Sequence, residues 1–323
     1  MPNELPIVDV VGVGLNATDT LIRVPHFPTL DSKVRLIESV TRAGGEVASA
    51  LVACQRWGLR TRYIGKIGDD AAGELQRAEF ARDGVEAHLT VVPNCPSQSS
   101  FILVDESTGE RTIIWQRDPR VELVPEEIER EPVVRARLLH ITGSSTAAMS
   151  RAAKWAKAAG IPVTLDVDGV YWGVQALLED VDYLISSRTF PAKLVGGDDP
   201  LILLPFLARK FGSRLVAVTL GREGVLAWAE SRFHYCPAIR VPTLDTTGAG
   251  DIFHGGFIYG LLQTWPLDRI LDFACAAAAL NCTALGARAG LGSLAEIERL
   301  RREGERYPSV FSASDLEAAR SAL

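Results

Sequence analysis

Cysteine is scarce and poorly placed for cross-linking: Cys54, Cys95, Cys236, Cys275 and Cys282 are the only five in 323 residues, an odd number, and no two are spaced C-x-x-C. That excludes a disulfide framework and a thiolate metal site, and predicts reduced, mostly buried thiols. No stretch approaches the ~20 consecutive apolar residues that span a bilayer. The opening MPNELPIVDVVGVG has no basic segment leading into an apolar one, as an export signal would, so a cytoplasmic protein is expected. Neither sign of charge is concentrated: 34 basic and 40 acidic residues leave a net charge of −6 without a block of either. No footprint for nucleic acid or an anionic membrane results, and a small-molecule partner is favoured. His26, His88, His140, His234 and His254 never pair at metal-ligand spacing. The pattern G-x-x-x-x-G-K-[ST] is missing altogether, which excludes a P-loop nucleotide hydrolase.

What is present is a chain built to bury a core, with 47% hydrophobic and 23% charged residues, so disorder is excluded as the dominant state. The run Ile7 to Val13 is rich in β-branched residues and ends among glycines, as a buried strand does. Strand and helix patterns then alternate. Helical spacing over Ala48–Trp57 precedes a strand at Thr61–Ile64 and a helix at Ala71–Arg82 that stops at Asp83-Gly84. Further on come a strand at Leu138–Thr142, a helix at Ser150–Ala159, strands at Val163–Val167 and Tyr183–Ser186, a helix at Leu201–Phe211 and a strand at Leu215–Leu220. This alternation predicts an α/β fold, a mostly parallel sheet with helices on both faces. Thr20–Val24 with Lys33–Thr41, and Ser97–Asp105 with Arg111–Gln116, break the pattern as short strands, the last two joined by the turn-like Glu106–Glu110. They predict a small β-sheet lid inserted into a single 1–323 domain at about 19–41 and 97–118. The tail from Leu294 onward reads as charged amphipathic helix.

The most informative segment is Asp245-Thr246-Thr247-Gly248-Ala249-Gly250-Asp251, followed by an apolar helical pattern. Three small residues free successive N–H groups to turn toward an anion at a helix start, where the dipole also favours negative charge. Asp251 beside them is placed to accept a proton from an attacking hydroxyl. A bare G-A-G-D is equally well a tight turn with Asp251 as an N-cap. Thr219-Leu220-Gly221-Arg222-Glu223-Gly224 closes a strand with a second small-residue loop, suited to close approach by a nucleotide or to a plain turn. Gly44-Gly45 exposes backbone to a sugar hydroxyl at the start of a helix, whereas Asp69 and Asp70 are read as helix-capping residues. Gly12-x-Gly14-x-x-Ala17 satisfies a dinucleotide-binding fingerprint in form only, because the residues that follow have strand character and run into Pro25. Asp19 in that stretch is either a polyol-binding carboxylate at the cleft mouth or a capping or salt-bridged residue. His140 is read as a core histidine and His254, one turn past Asp251, as packing around it. Arg111, Arg117 and Arg120 on or after the lid are solvated surface groups or, less simply, recognise an anionic sugar substituent.

Together these motifs resemble the ribokinase or PfkB-type family of carbohydrate kinases over nearly the whole chain, closest in the lid and the Asp245–His254 run to its fructokinase-like and sulfofructose-kinase-like branches. The resemblance implies a ribokinase-like fold, with ATP and Mg²⁺ as phosphoryl donor and cofactor and a sugar hydroxyl as acceptor, a ketose being favoured. It implies that Asp251 is the base and that Gly248, Ala249 and Gly250 form the anion hole. Thr219, Gly221, Gly224 and Ser187 would line the nucleotide; Asp19, Gly44, Gly45, Ser49 and Ser100 would face the sugar. A monovalent cation, K⁺ in other members, would take ligands from Asp245, Thr247, Asn281, Ala284 and Gly286. Two departures stand out. Ser49 replaces the family's common Asn, and Ser187-Arg188-Thr189-Phe190 replaces its N-x-x-E near the triphosphate, which puts the handling of Mg²⁺ in question. A nucleoside kinase of the same fold and a non-catalytic sugar- or nucleotide-binding module are the competing readings. The open edge of a lid sheet leads us to expect a homodimer through the lids.

Overall fold

The computed structural model describes residues 7–322; residues 1–6, the beginning of the stretch read above for an export signal, and Leu323 lie outside the described residues. Thirteen strands form two sheets. They are β1 Val8–Val13, β2 Ala17–Val24, β3 Glu38–Gly44, β4 Thr61–Gly68, β5 Glu86–Val92, β6 Ser99–Asp105, β7 Arg111–Gln116, β8 Ala136–Thr142, β9 Val163–Val167, β10 Tyr183–Ser187, β11 Leu215–Thr219, β12 Val225–Ala229 and β13 Arg232–Cys236.

The large sheet has nine strands in the order β13-β12-β11-β10-β9-β8-β1-β4-β5, parallel from β11 through β5, with β12 and β13 antiparallel at one edge. Its centre is apolar on both faces because helices cover both, the expected state of a parallel sheet. On β1 and β8, Val11, Val13, Leu139 and Ile141 pack with Ala152 and Leu204 of helices Thr146–Ala158 and Pro200–Phe211. Val10 and Leu138 point the other way, to Leu51 and Ile258 of helices Glu46–Arg56 and Ala249–Leu262. Gly12 lies under the first of these, where a Cβ would strike Leu51 and Val47. Small residues also let the two helices touch: a Cβ on Gly255 would crowd Ala53. Side by side, they carry both of their N-termini to the same end of the sheet.

The small sheet has the order β3-β2-β6-β7, with β2 and β6 parallel and both edge pairs antiparallel. Its inner face holds Leu21, Ile102 and Val104 against Leu285 and Leu244 of the core. The second lid strand, expected from Lys33, begins at Glu38: β2 ends at Val24 before Pro25, and Arg23 pairs with Glu38, so residues 33–37 have no strand to join. A strand, not a helix, follows Gly12-x-Gly14, as the sequence suggested. Strand β5 and the β12–β13 hairpin had no clear signal. The hairpin turns at Glu230 and Ser231, both at positive φ (51° and 58°), without the Asn or Gly that normally marks such a turn. The five cysteines are buried and unpaired, and no helix among the described residues is long and apolar enough to cross a membrane.

Candidate active site

A cavity of about 1760 Å³ opens between the lid and the C-terminal ends of the parallel strands, where open α/β sheets place their ligands. Successive strand ends supply its wall: Ser144 after β8, Asp166 and Asp168 at β9, Ser186 and Ser187 at β10, Thr219 at β11. The two adjacent helix N-termini add Gly45 and Glu46 on one side and Gly248, Ala249, Gly250 and Asp251 on the other.

The Asp245–Asp251 loop is folded by its own carboxylate. Asp245, fully buried, accepts from the Thr247 amide (2.8 Å), the Thr247 hydroxyl (2.7 Å) and the Gly286 amide (2.8 Å). This fixes the turn into Gly248, whose φ of 76° and contact with the Ala287 backbone leave no room for a side chain. Gly250 differs: a Cβ there would meet nothing within 4 Å, so its smallness keeps space open rather than permitting packing. Among the described residues the Gly250 and Asp251 amides make no hydrogen bond to other backbone groups. With the helix dipole behind them, they are free to meet an anion, whereas the Ala249 amide, expected beside them, donates to the Thr246 carbonyl at 3.3 Å.

Asp251 reaches the cavity half-buried among other acids. Burial, and then the charge of Asp166, push its pKa up to about 7, against the opposing pull of His254 and Arg111. Asp166 is held in place by His254 Nε2 at 3.1 Å. Burial alone would raise the Asp166 carboxyl, but the imidazole outweighs it and keeps the group below the usual carboxylate range. Glu46, hydrogen-bonded by the Thr142 hydroxyl, is pushed well above the usual range by burial and by Asp166, Asp168 and Asp251. Asp251 therefore sits among carboxylates of divergent proton affinity, the arrangement that tunes an acid to work near neutral pH.

At the other end of the cavity, Asp19 of β2 is buried and hydrogen-bonded by Ser100 of β6. Burial raises its pKa against that hydrogen bond and the charge of Arg288. Gly44 is needed here because any Cβ would collide with the Asp19 carboxylate. Gly45, Asp19 and Ser100 line the cavity; Gly44 lies behind them and offers its carbonyl to Arg288 Nη2 at 2.7 Å. Ser49 is fully buried, accepts from Arg288 Nε at 3.2 Å and is not part of the cavity lining. This departs from the expectation that it faces the sugar, since the first turn of its helix directs it inward. Thr219, Gly221, Gly224 and Ser187 line the same cavity at the ends of β10 and β11 and in the loop that follows β11. Phe190 is buried in the core, so a hydrophobic residue occupies the place of the N-x-x-E carboxylate.

The residues expected around a monovalent cation are close together. Asn281, fully buried, donates its amide nitrogen to the carbonyls of Thr247 (3.2 Å) and Ala287 (3.1 Å). The Asn281 backbone carbonyl accepts from the Ala284 amide at 3.4 Å, whereas its buried side-chain Oδ1 has no hydrogen-bond partner. An orphaned buried oxygen beside the Asp245 carboxylate and these carbonyls fits a cation ligand set. For a divalent ion, Asp166 and Asp168 offer two carboxylates on the wall, and Mg²⁺ commonly binds through one or two carboxylates plus substrate phosphates. Among the described residues no group of three or more His, Cys, Asp or Glu side chains forms a metal site by itself.

Glu46, Asp166 and Asp168 were not singled out from sequence; only their spacing from strand ends or from Gly44-Gly45 could have flagged them. His254 was expected beside Asp251, and Asp70 caps its helix by accepting from the Gly73 amide at 2.9 Å.

A lidded α/β fold with a small-residue anion nest beside an acid is the arrangement of a sugar kinase. The family model for pfkB family carbohydrate kinases matches residues 9–293, and the chain belongs to that family. It is 26% identical over 287 residues to an ATP-dependent ribose-1-phosphate kinase of Halopiger xanaduensis, covering 87% of this chain and 94% of that protein. It is 28% identical over 291 residues to a fructokinase of Klebsiella pneumoniae, covering 83% and 94%. A structure of Arabidopsis thaliana ribokinase complexed with ribose and ATP superposes with a TM-score of 0.77 at 24% identity, over 92% of this chain and 99% of that one, a likeness of fold.

Proposed function

We propose that the protein transfers the terminal phosphoryl group of ATP, with Mg²⁺, to a hydroxyl of a ketose such as fructose or an anionic derivative of one. The observation that carries this reading is the position of Asp251: one cavity joins it to the helix start with the free Gly250 amide, to Thr219–Gly224 and to Asp19. A sugar hydroxyl oriented by Asp19, Ser100 and the Gly45 backbone would attack the phosphorus in line. Asp251 takes its proton, and the nest amides meet the charge on the transferring group. Positioning and fixed dipoles carry most of the acceleration in such transfers. Bound Mg²⁺ would neutralise phosphate charge, held by Asp166 and Asp168. A monovalent cation such as K⁺ would be held by Asp245, Thr247, Asn281, Ala284 and Gly286, where the buried Asn281 Oδ1 has no other partner. The lid over the acceptor excludes water, the competing nucleophile.

Lid sheets would also pair two copies into a homodimer: every residue of edge strand β7 is exposed, with Ile114 of β7 and Phe101 of β6 presenting apolar surface. The five reduced thiols suit the cytoplasm. The test is ADP release over a panel of ketoses, aldoses, sugar phosphates and nucleosides, with the product identified by phosphorus NMR. Phosphorylation of ketoses above the rest is expected. Preference for nucleosides would replace the reading with a nucleoside kinase, and thermal stabilisation by sugars without turnover would replace it with a binding module.

A further inference from the structure

Arg288 lies in the loop after helix Leu267–Asn281 and is only 7% exposed. Among the described residues the one carboxylate that reaches it is Glu79, 4.0 Å from Nη1, and Nη1 makes no hydrogen bond. Glu79 is better matched to Arg82, 2.9 Å away. A buried guanidinium without a close counter-ion is costly, and burial pushes the Arg288 pKa below its usual value. Stability does not call for such a group. An apolar side chain of similar volume would fill the same place beside Phe80, whose ring centre lies 6.0 Å from the guanidinium carbon.

The other two nitrogens show what the charge serves. Nη2 donates to the Gly44 carbonyl and Nε to the Ser49 hydroxyl, so the guanidinium grips both sides of the turn from β3 into helix Glu46–Arg56. That turn presents Gly45 to the cavity, and its Gly44 abuts the Asp19 carboxylate. The charge of Arg288 opposes the burial that raises the Asp19 pKa. An ionised carboxylate only accepts hydrogen bonds, which suits sugar hydroxyls, and Ser100 already donates to one Asp19 oxygen. The departure at Ser49 gains a physical reason as well. Its short hydroxyl ends against the guanidinium, and a longer Asn side chain would need the volume that Arg288 fills.

We propose that Arg288 is a positioning residue of the acceptor site: it braces the Gly44–Gly45 turn and sets positive charge behind Asp19, the long arginine and the short Ser49 acting together in place of the family's common Asn. The proposal rests on the reading of Asp19 and Gly45 as sugar-binding groups. Arg288 is not part of the cavity lining. It acts through Gly44 and Asp19, so its removal weakens acceptor binding and leaves the transfer step nearly intact.

The test uses the full-length protein with Arg288→Met, Arg288→Lys, Arg288→Ala, Ser49→Asn and the double variant Ser49→Asn/Arg288→Ala. The acceptor is D-fructose or, where the wild type prefers it, another sugar of the panel above. Arg288→Met should melt no lower than the wild type, because a buried charge without a close partner is removed. Its sugar KM should rise roughly tenfold, the scale of losing a hydrogen bond from a charged donor. Meanwhile kcat should stay within about threefold, and ATP affinity by calorimetry should not change. Arg288→Lys should recover part of the KM. Ser49→Asn alone should raise KM at least fivefold by crowding the guanidinium, whereas Arg288→Ala should lose less when Asn replaces Ser49, since the amide then enters the vacated space. An unchanged KM in Arg288→Met overturns the proposal alone, as does a fall of kcat and ATP affinity in step with the rise in KM, the mark of a merely structural role. Additive losses in the double variant reject the exchange between the two positions. Should the Arg288 variants not fold, Ser49→Asn decides: a wild-type KM there rejects the proposal. A wild type that neither binds nor phosphorylates any sugar of the panel overturns the acceptor reading itself, and the proposal with it.

Discussion

The two sheets do opposite work. All six residues of β1 are buried and all six of β7 are exposed. The nine-stranded sheet, covered on both faces, holds the strand ends and the two helix N-termini that wall the cavity. The four-stranded sheet has one apolar stripe, Leu21, Ile102 and Val104, and spends the rest of its inner face on Asp19, Ser100 and Arg111. Rigid packing thus positions the groups whose geometry must not change during transfer. The lid, held by few apolar contacts, carries groups that have to admit and release a sugar, as expected of the less stable part of a structure.

The largest effect expected is at Asp251. Asp251→Asn should lower kcat by roughly 1000-fold, within the range for losing a general base, with ATP affinity unchanged by titration. The same variant should melt at a higher temperature than wild type at pH 8. A carboxyl whose pKa is raised to about 7 stabilises the fold while protonated, most fully below the unfolded value near 4, and that stability is lost as pH rises through 7. Equal melting curves at pH 8 would show that the carboxylate is not strained by its neighbours.

Next in size is the contrast between the sheets. Leu139→Ala in the core should cost about 3 kcal/mol in urea unfolding, as buried leucine truncations do. Ile113→Ala on the lid should cost under about 1 kcal/mol while raising the sugar KM severalfold. Similar unfolding costs would erase the division of labour.

The pH dependence sharpens it further. With ionised Asp251 as the proposed base, kcat/KM should rise through about pH 7. Asp166→Asn removes the neighbouring negative charge and should move that midpoint to lower pH. An unmoved midpoint would assign the titration to another group.

Much of the fold was legible because local chemistry and tertiary structure agree. The β-branched runs at Val8–Val13 and Val163–Val167 are buried except at Asp166, and Gly84 ends its helix at φ 77°, as the Asp83-Gly84 pair announced. The hairpin at Glu230-Ser231 was illegible because its turn residues carry no preference for positive φ; pairing of β12 with β13, Ala229 opposite Arg232, imposes it. Ser49 was misread because a helix face cannot be oriented without knowing what packs on it, here Arg288 from 239 residues away.

The sequence by itself determined the alternation of strand and helix and the small-residue bend at Gly248–Gly250, since both rest on neighbours in the chain. Tertiary structure alone decided that His254 faces Asp166, that Glu46 joins Asp251, that Asn281 donates to the Thr247 carbonyl and that Arg288 reaches Gly44. Each of these joins residues from separate elements, and a charge or hydrogen bond acts through distance in space, which spacing along the chain does not encode.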